Sequence, residues 1–225
     1  QERTILNAGL RLYMLWIITG SIISYLIGSI PTAYIFGRLL KGVDIRREGS
    51  GNVGATNALR VLGKAPGIAV LCLDILKGLL AVFILGNLLA AKTATISVEL
   101  RGIILGLSCI SGHNWTIFLG FKGGKGIATT LGVLVALSLQ IAGLKSVLLL
   151  AVLTWLIVFL ASRIVSLASL VSALTLPIYM FLFKSSRVLI TLSVLLSFFV
   201  ILRHKANLKR LLRGQESRLS FKKRP

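Results

Sequence analysis

Acidic residues are scarce in this sequence. Its 225 residues include 6 Asp and Glu against 26 Lys and Arg, which gives a formal net charge of +20. The six carboxyl groups are spread along the chain, so neither a pair of catalytic carboxylates nor a clustered magnesium site is evident. We therefore predict no metal and no cofactor, and we expect any reaction to rely on cations, hydroxyls and backbone donors.

Cysteine is scarcer still, and charged residues of both signs make up only 14% of the chain. Cys72 and Cys109 lie in separate apolar runs without metal-binding or redox spacing, so we interpret both as packing residues. By contrast, 56% of the residues are hydrophobic and the mean hydropathy is +0.91. This composition indicates a polytopic membrane protein. The excess positive charge then suits cytoplasmic loops and anionic headgroups or substrates better than nucleic acid.

Seven apolar runs have the length of about 20 residues that a membrane-spanning helix needs. They predict an all-α fold with seven transmembrane helices in a single domain over residues 1–225. The runs cover residues 14–38, 66–91, 99–120, 126–143, 145–162, 164–183 and 186–203. Alternate loops carry 18 and 7 basic residues, so the positive-inside rule places the N-terminus outside and the C-terminus in the cytoplasm. We interpret residues 1–12 as a possible N-terminal extension and residues 204–225 as a basic cytoplasmic tail.

Residues 49–57, which we call the first glycine-rich loop, read Gly-Ser-Gly-Asn-Val-Gly-Ala-Thr-Asn. Three glycines leave the backbone free to turn N–H groups inward, and Arg46, Arg47 and Arg60 flank the segment. This combination suits a phosphate, although flexible polar turns can have a similar composition. The predicted orientation puts this loop on the same side of the membrane as residues 120–126 and the tail.

Residues 120–126, the second glycine-rich loop, read Gly-Phe-Lys-Gly-Gly-Lys-Gly and precede a predicted helix. Lys122 and Lys125 would stand beside free N–H donors at the helix N-terminus, which favours an anion. The loop is not a Walker A motif, because Leu119 occupies a glycine position and Ile127 follows the Lys-Gly pair. An ordinary basic turn is the alternative interpretation.

An acid–base pair and a histidine lie within the apolar runs. Asp74 and Lys77 lie three residues apart on one helical face, where they can form a structural ion pair or present Lys77 to an anionic ligand. His113 lies near the cytoplasmic end of the third predicted helix, where it is either a structural histidine or a functional one. Neither His113 nor His204 is followed by an aspartate five residues later, as in the coenzyme A-dependent and carrier-protein-dependent glycerolipid acyltransferases.

Two further segments place polar residues on the predicted cytoplasmic side. Arg163 and Ser166 lie at a helix start, where capping of the N-terminus is a strong alternative to function for the serine. The tail opens with a basic amphipathic pattern suited to the membrane surface. Within it, His204 and Asn207 are three residues apart and can point into a site together.

Five segments are informative in combination: Gly28-Ser29-Ile30-Pro31, residues 49–57, Gly112-His113-Asn114, residues 122–126 and His204-Lys205-x-Asn207. Together these segments closely resemble the bacterial acyl-phosphate:glycerol-3-phosphate acyltransferase family, PlsY, over nearly the whole chain. The resemblance implies a seven-helix enzyme of the bacterial inner membrane that transfers a fatty acyl group from acyl phosphate to the 1-hydroxyl of sn-glycerol 3-phosphate. The products would be lysophosphatidic acid and phosphate, in the first acylation of phospholipid synthesis. PlsX, a soluble enzyme that makes acyl phosphate, would be a partner.

The resemblance also implies roles for individual residues. Those expected to contact substrate phosphates and hydroxyls are Ser50, Arg60, Lys125, Ser166, His204 and Asn207. Those expected to shape the first glycine-rich loop are Gly51, Asn52, Gly54 and Asn57. Further candidates for binding are Lys77, Lys122 and Asn114, and the catalytic candidates are Ser50, His113 and His204. The general base stays open among His113, His204 and the phosphate of the donor.

A membrane transporter for a phosphorylated solute is the alternative from another class. That function predicts polar groups at several depths and an inverted repeat, whereas the basic residues here gather on one face, with Lys77 as the exception. A non-catalytic scaffold that recruits enzymes through its basic tail is a third possibility. It would leave both glycine-rich loops unexplained.

Overall fold

The computed structural model describes residues 2–219, with side chains from residue 12 onward. Residue 1, the side chains of residues 2–11 in the possible extension, and the end of the tail from residue 220 lie outside this described part. Every regular element within it is helical, which confirms the predicted all-α class. The described residues form two compact units that divide between Ile141 and Ala142.

The first unit contains seven α-helices and several short helical turns. A π-helical segment, Leu80–Ile84, joins α4 to α5 so that one continuous helical stretch results. Turns of 3-10 helix lie at Ile45–Arg47, Ala90–Thr93 and Ile117–Leu119. The α-helices are α1 (Glu2–Ser29), α2 (Thr32–Lys41), α3 (Ala55–Val61), α4 (Lys64–Leu79), α5 (Leu85–Leu88), α6 (Val98–Asn114) and α7 (Ile127–Gln140).

Glycines allow the two main helix pairs of this unit to approach closely. Helix α1 packs against α6, where a Cβ atom on Gly28 would clash with the carbonyl oxygen of Cys109. Helix α4 packs against α7, where a Cβ atom on Gly132 would clash with the carbonyl oxygen of Ile75. Backbone contacts of this kind are typical of helices that pack inside membranes, where small residues take the place of hydrophobic driving force.

The first candidate span is broken between α1 and α2. Pro31 has no N–H to continue the helix, so carbonyl groups at the end of α1 need other donors. The carbonyl oxygen of Ser29 accepts a hydrogen bond from Thr116 Oγ1 at 2.5 Å, and that of Ile30 accepts one from Lys77 Nζ at 3.2 Å. Side chains from α4 and from the segment after α6 thus satisfy the break.

The second unit contains four helices, in which α8 packs on α9 and α9 packs on α10. Helices α10 and α11 meet at His204 with a bend of 66°. After α11 the chain returns toward the corner between α8 and α9, where Leu219 N donates to the carbonyl oxygen of Arg163 at 2.8 Å. The helices are α8 (Leu144–Ser162), α9 (Val165–Leu182), α10 (Arg187–Arg203) and α11 (Lys205–Leu212).

Five helical stretches among the described residues are long and apolar enough to cross a membrane, and α10 with α11 gives a sixth if that bent pair is one span. The prediction of a polytopic helical membrane protein is therefore confirmed. Helices α8 and α9 match their predicted runs to within one residue at each end. Helix α7 is apolar but has only 14 residues. At about 1.5 Å per residue it is shorter than the hydrocarbon core.

Candidate active site

A buried asparagine organises the first glycine-rich loop. Asn57 is 1% exposed in the first turns of α3. Its Oδ1 accepts a hydrogen bond from Ser50 N at 2.8 Å, and its Nδ2 donates to the carbonyl oxygens of Ile45 and Glu48 at 3.1 and 3.0 Å. Because one side chain bonds the loop at three points, the exposed Ser50 lies at a fixed place on the surface.

Two glycines of this loop have backbone conformations that other residues rarely adopt. Gly49 has φ of +58° and Gly51 has φ of +70°. A Cβ atom on Gly49 would also clash with Asn57 Oδ1, and one on Gly51 would come within 3.0 Å of the carbonyl oxygen of Arg46. The glycines therefore let the loop close over the asparagine. Asn52 and Gly54 are half-buried beside them.

The arginines around the first loop differ in their partners. Arg46 forms a salt bridge with Asp44 at 2.7 Å, whereas Arg60 lies exposed in the last turn of α3. The side-chain hydrogen bond from Arg46 is the main reason that the pKa of Asp44 falls well below its ordinary value. Asp44 therefore neutralises part of the positive charge that the flanking arginines bring to the loop.

The second glycine-rich loop folds back on the end of α6. Gly123 N donates to the carbonyl oxygen of Asn114 at 3.2 Å, and Gly124 N donates to that of His113 at 2.9 Å. The expectation of free N–H donors was therefore wrong for these two glycines, because the last carbonyls of α6 require donors. Lys122 is exposed, and Lys125 is half-buried ahead of α7.

The end of α6 lies directly beneath this loop. A Cβ atom on Gly124 would clash with the His113 ring, and one on Gly126 would come within 2.7 Å of Asn114 Oδ1. Asn114 is 1% exposed, and its Oδ1 has no hydrogen-bond partner among the described residues. Both predicted residues thus support the loop from below.

A buried charged cluster joins α2, α4 and α6. Asp74 Oδ1 accepts a hydrogen bond from Thr32 Oγ1 at 2.6 Å and lies 2.8 Å from Lys77 Nζ. His113 Nδ1 is 3.8 Å from the same oxygen. Asp74 is 1% exposed, and Lys77 and His113 are each 6% exposed. The ion pair that the sequence spacing suggested is therefore present, and His113 adjoins it.

A small recess connects this cluster with both glycine-rich loops. Its empty volume is about 180 Å³, part of which is open to solvent. Val53 of the first loop and Gly123 and Gly124 of the second loop line it, together with Lys77 and His113. The fold therefore brings the two glycine-rich loops, which are separated by 62 residues from Asn57 to Gly120, to one polar recess.

A second cluster lies in the second unit and is centred on Glu216. Its Oε1 accepts hydrogen bonds from Ser166 Oγ at 2.9 Å and Asn207 Nδ2 at 2.6 Å, and its Oε2 accepts one from Arg210 Nε at 2.6 Å. Burial alone would raise the pKa of Glu216, but the hydrogen bonds from Arg210, Asn207 and Ser166 outweigh it and lower the pKa. Sequence reasoning missed this glutamate, because Ser166 is 50 residues away from it.

The other predicted residues of the second unit surround the bend after α10. His204 is 2% exposed at the N-cap position of α11, and its Nδ1 lies 2.8 Å from the carbonyl oxygen of Val200. Since a carbonyl only accepts, Nδ1 carries the hydrogen. The N-cap position of α9 belongs to Ile164, so the capping interpretation of Ser166 was wrong.

The two cysteines differ in their exposure. Cys109 is buried, as a packing residue should be, whereas Cys72 is exposed on α4. Across the residues that the structure describes, no group of three His, Cys, Asp or Glu side chains is placed to hold a metal ion.

These features define a multi-pass helical membrane protein whose buried polar groups and basic loops suit a polar, anionic ligand. Comparison with known proteins gives the family. The family model for glycerol-3-phosphate acyltransferase matches residues 18–214. The chain belongs to the glycerol-3-phosphate acyltransferase family and is an acyltransferase, which decides against the transporter and the scaffold.

Relatives and solved structures agree with this assignment. The chain is 44% identical over 200 residues to the glycerol-3-phosphate acyltransferase of Desulforamulus reducens, covering 89% of this chain and 94% of the relative. It is 45% identical over 198 residues to glycerol-3-phosphate acyltransferase 2 of Moorella thermoacetica, covering 88% and 95%.

Among solved structures, the chain is similar to PlsY (YgiH), an integral membrane glycerol 3-phosphate acyltransferase. Its glycerol 3-phosphate form has a TM-score of 0.79 and 39% identity, covering 91% of this chain and 96% of the neighbour. Its lysophosphatidic acid form has a TM-score of 0.76 and 38% identity, covering 91% and 95%. The recognition of the family from sequence motifs is therefore confirmed.

Proposed function

We propose that this enzyme transfers a fatty acyl group from acyl phosphate to the 1-hydroxyl of sn-glycerol 3-phosphate, yielding lysophosphatidic acid and phosphate. The glycerol 3-phosphate and lysophosphatidic acid forms of PlsY support the acceptor and the product. The observation that carries the proposal is the recess that Lys77 and both glycine-rich loops share. Two glycine-rich loops meet at one recess, the first flanked by arginines and the second containing two lysines, which suits a reaction in which both substrates carry phosphate.

Acyl phosphate as the donor fits the groups that the site offers. It is a mixed anhydride, so its phosphate leaves readily and the enzyme mainly has to hold the substrates and align a hydroxyl with the acyl carbon. Lysine and arginine can stabilise the negative charge that develops on the carbonyl oxygen and on the leaving phosphate. We therefore propose that the transfer is metal-free and uses no cofactor.

The two loops are the proposed phosphate sites. Ser50 and Arg60 are exposed at the first loop, and Lys122 and Lys125 provide ammonium groups at the second. The fixed geometry of the first loop depends on Asn57, with Gly51, Asn52 and Gly54 shaping its backbone. We also propose that three residues of the second unit contact substrate phosphates or hydroxyls, namely Ser166, His204 and Asn207.

The proton of the acceptor hydroxyl has three possible destinations: His113, His204 and the phosphate of the donor. Measuring the acyl-transfer rate as a function of pH in His113→Ala and in His204→Ala distinguishes these three acceptors. Loss of the rate and of its pH dependence in one variant identifies that histidine as the base. If both variants keep most of the rate, proton transfer to the donor phosphate is the better account.

We also propose seven transmembrane segments, with the N-terminus outside and the active site on the cytoplasmic side of a bacterial inner membrane. This number is reached when α7 and α10 are each counted as a span beside the five longer stretches. The excess of basic residues in alternate loops supports the orientation. Acyl phosphate would then come from a soluble enzyme at that face, which the resemblance identifies as PlsX.

Matched charge removal tests the two phosphate sites. We expect Arg60→Gln and Lys125→Met each to lower kcat/KM for glycerol 3-phosphate acylation at least tenfold, or about 1.4 kcal/mol, because each removes a cation from a bound phosphate. The controls are Arg213→Gln and Lys64→Met, which remove exposed charges that have no assigned role. Equal losses of kcat/KM in the variants and the controls would show that only the net charge of the surface matters, which would contradict the two phosphate sites.

A further inference from the structure

Asp74 and Lys77 form a charged pair deep within a candidate span. They lie near the middle of the span Lys64–Leu88, and neither side chain is more than 6% exposed. Moving two charges out of water is costly, and buried pairs can often be replaced by apolar residues without loss of stability. Ionisable groups inside membrane segments commonly have a function. The pair therefore needs an explanation beyond stability.

The contacts of Lys77 leave one donor available. An ammonium group has three N–H donors, and among the described residues the acceptors near Nζ are Asp74 Oδ1 at 2.8 Å and the Ile30 carbonyl oxygen at 3.2 Å. Lys77 also lines the recess between the glycine-rich loops. A buried cation with a donor to spare thus borders a cavity that can take only a small group.

We propose that the floor of this recess is a subsite for one substrate oxygen, in which Lys77 donates to that oxygen and Asp74 is a positioning residue that holds the ammonium group. The inference rests on the acyl transfer proposed above and gives Lys77 and Asp74 defined roles in its site. Because the two charges of the pair cancel, the floor suits a single hydroxyl or phosphate oxygen. The loop cations remain available for the rest of the phosphate charge.

Asp74 also connects the subsite with the second glycine-rich loop. The distance between Asp74 Oδ1 and His113 Nδ1 is 3.8 Å, which is too long for a hydrogen bond but places the ring beside the carboxylate. The His113 ring in turn packs against Gly124, and the backbone carbonyl oxygen of His113 accepts a hydrogen bond from Gly124 N. One carboxylate therefore holds the ammonium group and the Thr32 hydroxyl and adjoins the ring that supports the loop.

A double variant that removes both charges distinguishes a role of the Asp74–Lys77 pair in binding substrate from a role in stability alone. Asp74→Asn and Lys77→Met each leave one buried charge without its partner, so we expect each to unfold at lower temperature than the parent. The double variant Asp74→Asn/Lys77→Met leaves no charge and should recover most of that loss. If the pair forms a subsite, the double variant should still have kcat/KM for glycerol 3-phosphate reduced at least tenfold, although it is folded.

Binding supplies a readout that does not depend on the donor. The parent should gain thermal stability with glycerol 3-phosphate, and the double variant should lose most of that gain. Inorganic phosphate in a parallel series distinguishes the source of the oxygen. An equal loss with both ligands indicates a phosphate oxygen, and a loss with glycerol 3-phosphate alone indicates a glycerol hydroxyl.

Ser24→Ala is the matched structural control. Ser24 is fully buried, its hydroxyl donates to the Leu105 carbonyl oxygen between α1 and α6, and it does not line the recess. We expect this variant to lose stability but to keep the parent's kcat/KM and ligand-induced shift.

The outcomes separate this inference from the proposed function. A stable double variant with parental kcat/KM and an unchanged ligand shift would overturn the subsite, as would a parent that gains no stability with either ligand. A parent that makes no lysophosphatidic acid from acyl phosphate would contradict the proposed donor. The subsite would still stand in that case if the double variant loses the ligand shift.

Discussion

At the scale of residues, single polar side chains determine the shape of both clusters. Asn57 bonds three backbone groups of the first glycine-rich loop, and Glu216 collects three donors in the second unit. Each is buried or nearly so, and a buried polar group that loses its partner costs more than an average hydrogen bond. Substitutions at these two positions should therefore have large effects.

For Asn57 we expect Asn57→Ala to destabilise the protein by about 2–3 kcal/mol, because three hydrogen bonds are worth about 1 kcal/mol each. Acyl transfer should fall with it, since Ser50 would no longer be held. Asn57→Asp keeps the acceptor for Ser50 N but loses both donors, so it should also be destabilising. Thermal unfolding in detergent measures both variants. An alanine variant as stable as the parent would show that the loop holds its shape without Asn57.

For Glu216 we expect a change in the pH dependence of stability. Its pKa is lowered in the folded protein, so the carboxylate form stabilises the fold. This contribution is fully present above the ordinary value of 4.5 and is lost as the pH falls through the lowered pKa. At neutral pH, Glu216→Gln should cost about 1–3 kcal/mol. Below pH 4.5, the stability of the parent should approach that of the variant.

The exposed Glu48 provides the control for this experiment. Glu48→Gln removes the same charge without these partners and should keep the parent's pH profile. Parallel profiles for the parent and Glu216→Gln would contradict the account of the cluster.

The sequence predicted residue contacts only where they are local. The pair Asp74 and Lys77 follows from helical spacing, since residues three apart share a face. The bond from Ser166 to Glu216 crosses 50 residues and two helices, and no local pattern reports it. The salt bridge between Arg46 and Asp44 is local but was still missed, because residues two apart meet only through the 3-10 turn Ile45–Arg47, which the sequence did not predict.

At the scale of elements, apolar length and proline placed the helices well. The break after α1 coincides with Pro31, where a helix ending was foreseeable. The π-helical segment Leu80–Ile84 was not foreseeable, because its sequence is as apolar as the rest of the span. The close packing of α4 on α7 was not foreseeable either, because the sequence does not show which glycines face a neighbouring backbone.

This packing gives a test with an internal control. Gly132→Ala would place a methyl group against the Ile75 carbonyl oxygen, so we expect a net destabilisation of about 1–3 kcal/mol. A Cβ atom on Gly86 would meet Leu105 Cδ1 at 3.6 Å, an ordinary contact. Gly86→Ala should therefore be neutral or slightly stabilising through helix propensity. Similar unfolding temperatures for the two variants would exclude tight backbone contact at Gly132.

At the scale of the whole molecule, the charge distribution predicts the orientation in the membrane. Cysteine labelling in spheroplasts tests it in a Cys72→Ala/Cys109→Ala background. We expect Lys145→Cys to react with a membrane-impermeant maleimide from outside, and Arg213→Cys to react only after permeabilisation. Both positions are exposed, so access to reagent depends on the side of the membrane. The reverse pattern would invert the proposed topology and move the glycine-rich loops outside.

The choice of acyl donor is the central claim and can be measured directly. Purified protein in lipid receives radiolabelled glycerol 3-phosphate with either acyl phosphate or acyl-coenzyme A, and lysophosphatidic acid is followed over time. The account predicts product from acyl phosphate and none from acyl-coenzyme A, because the sequence lacks the His-x-x-x-x-Asp pattern of the coenzyme A-dependent enzymes and the proposed site holds the phosphate of a mixed anhydride. Product from acyl-coenzyme A, with none from acyl phosphate, would contradict it.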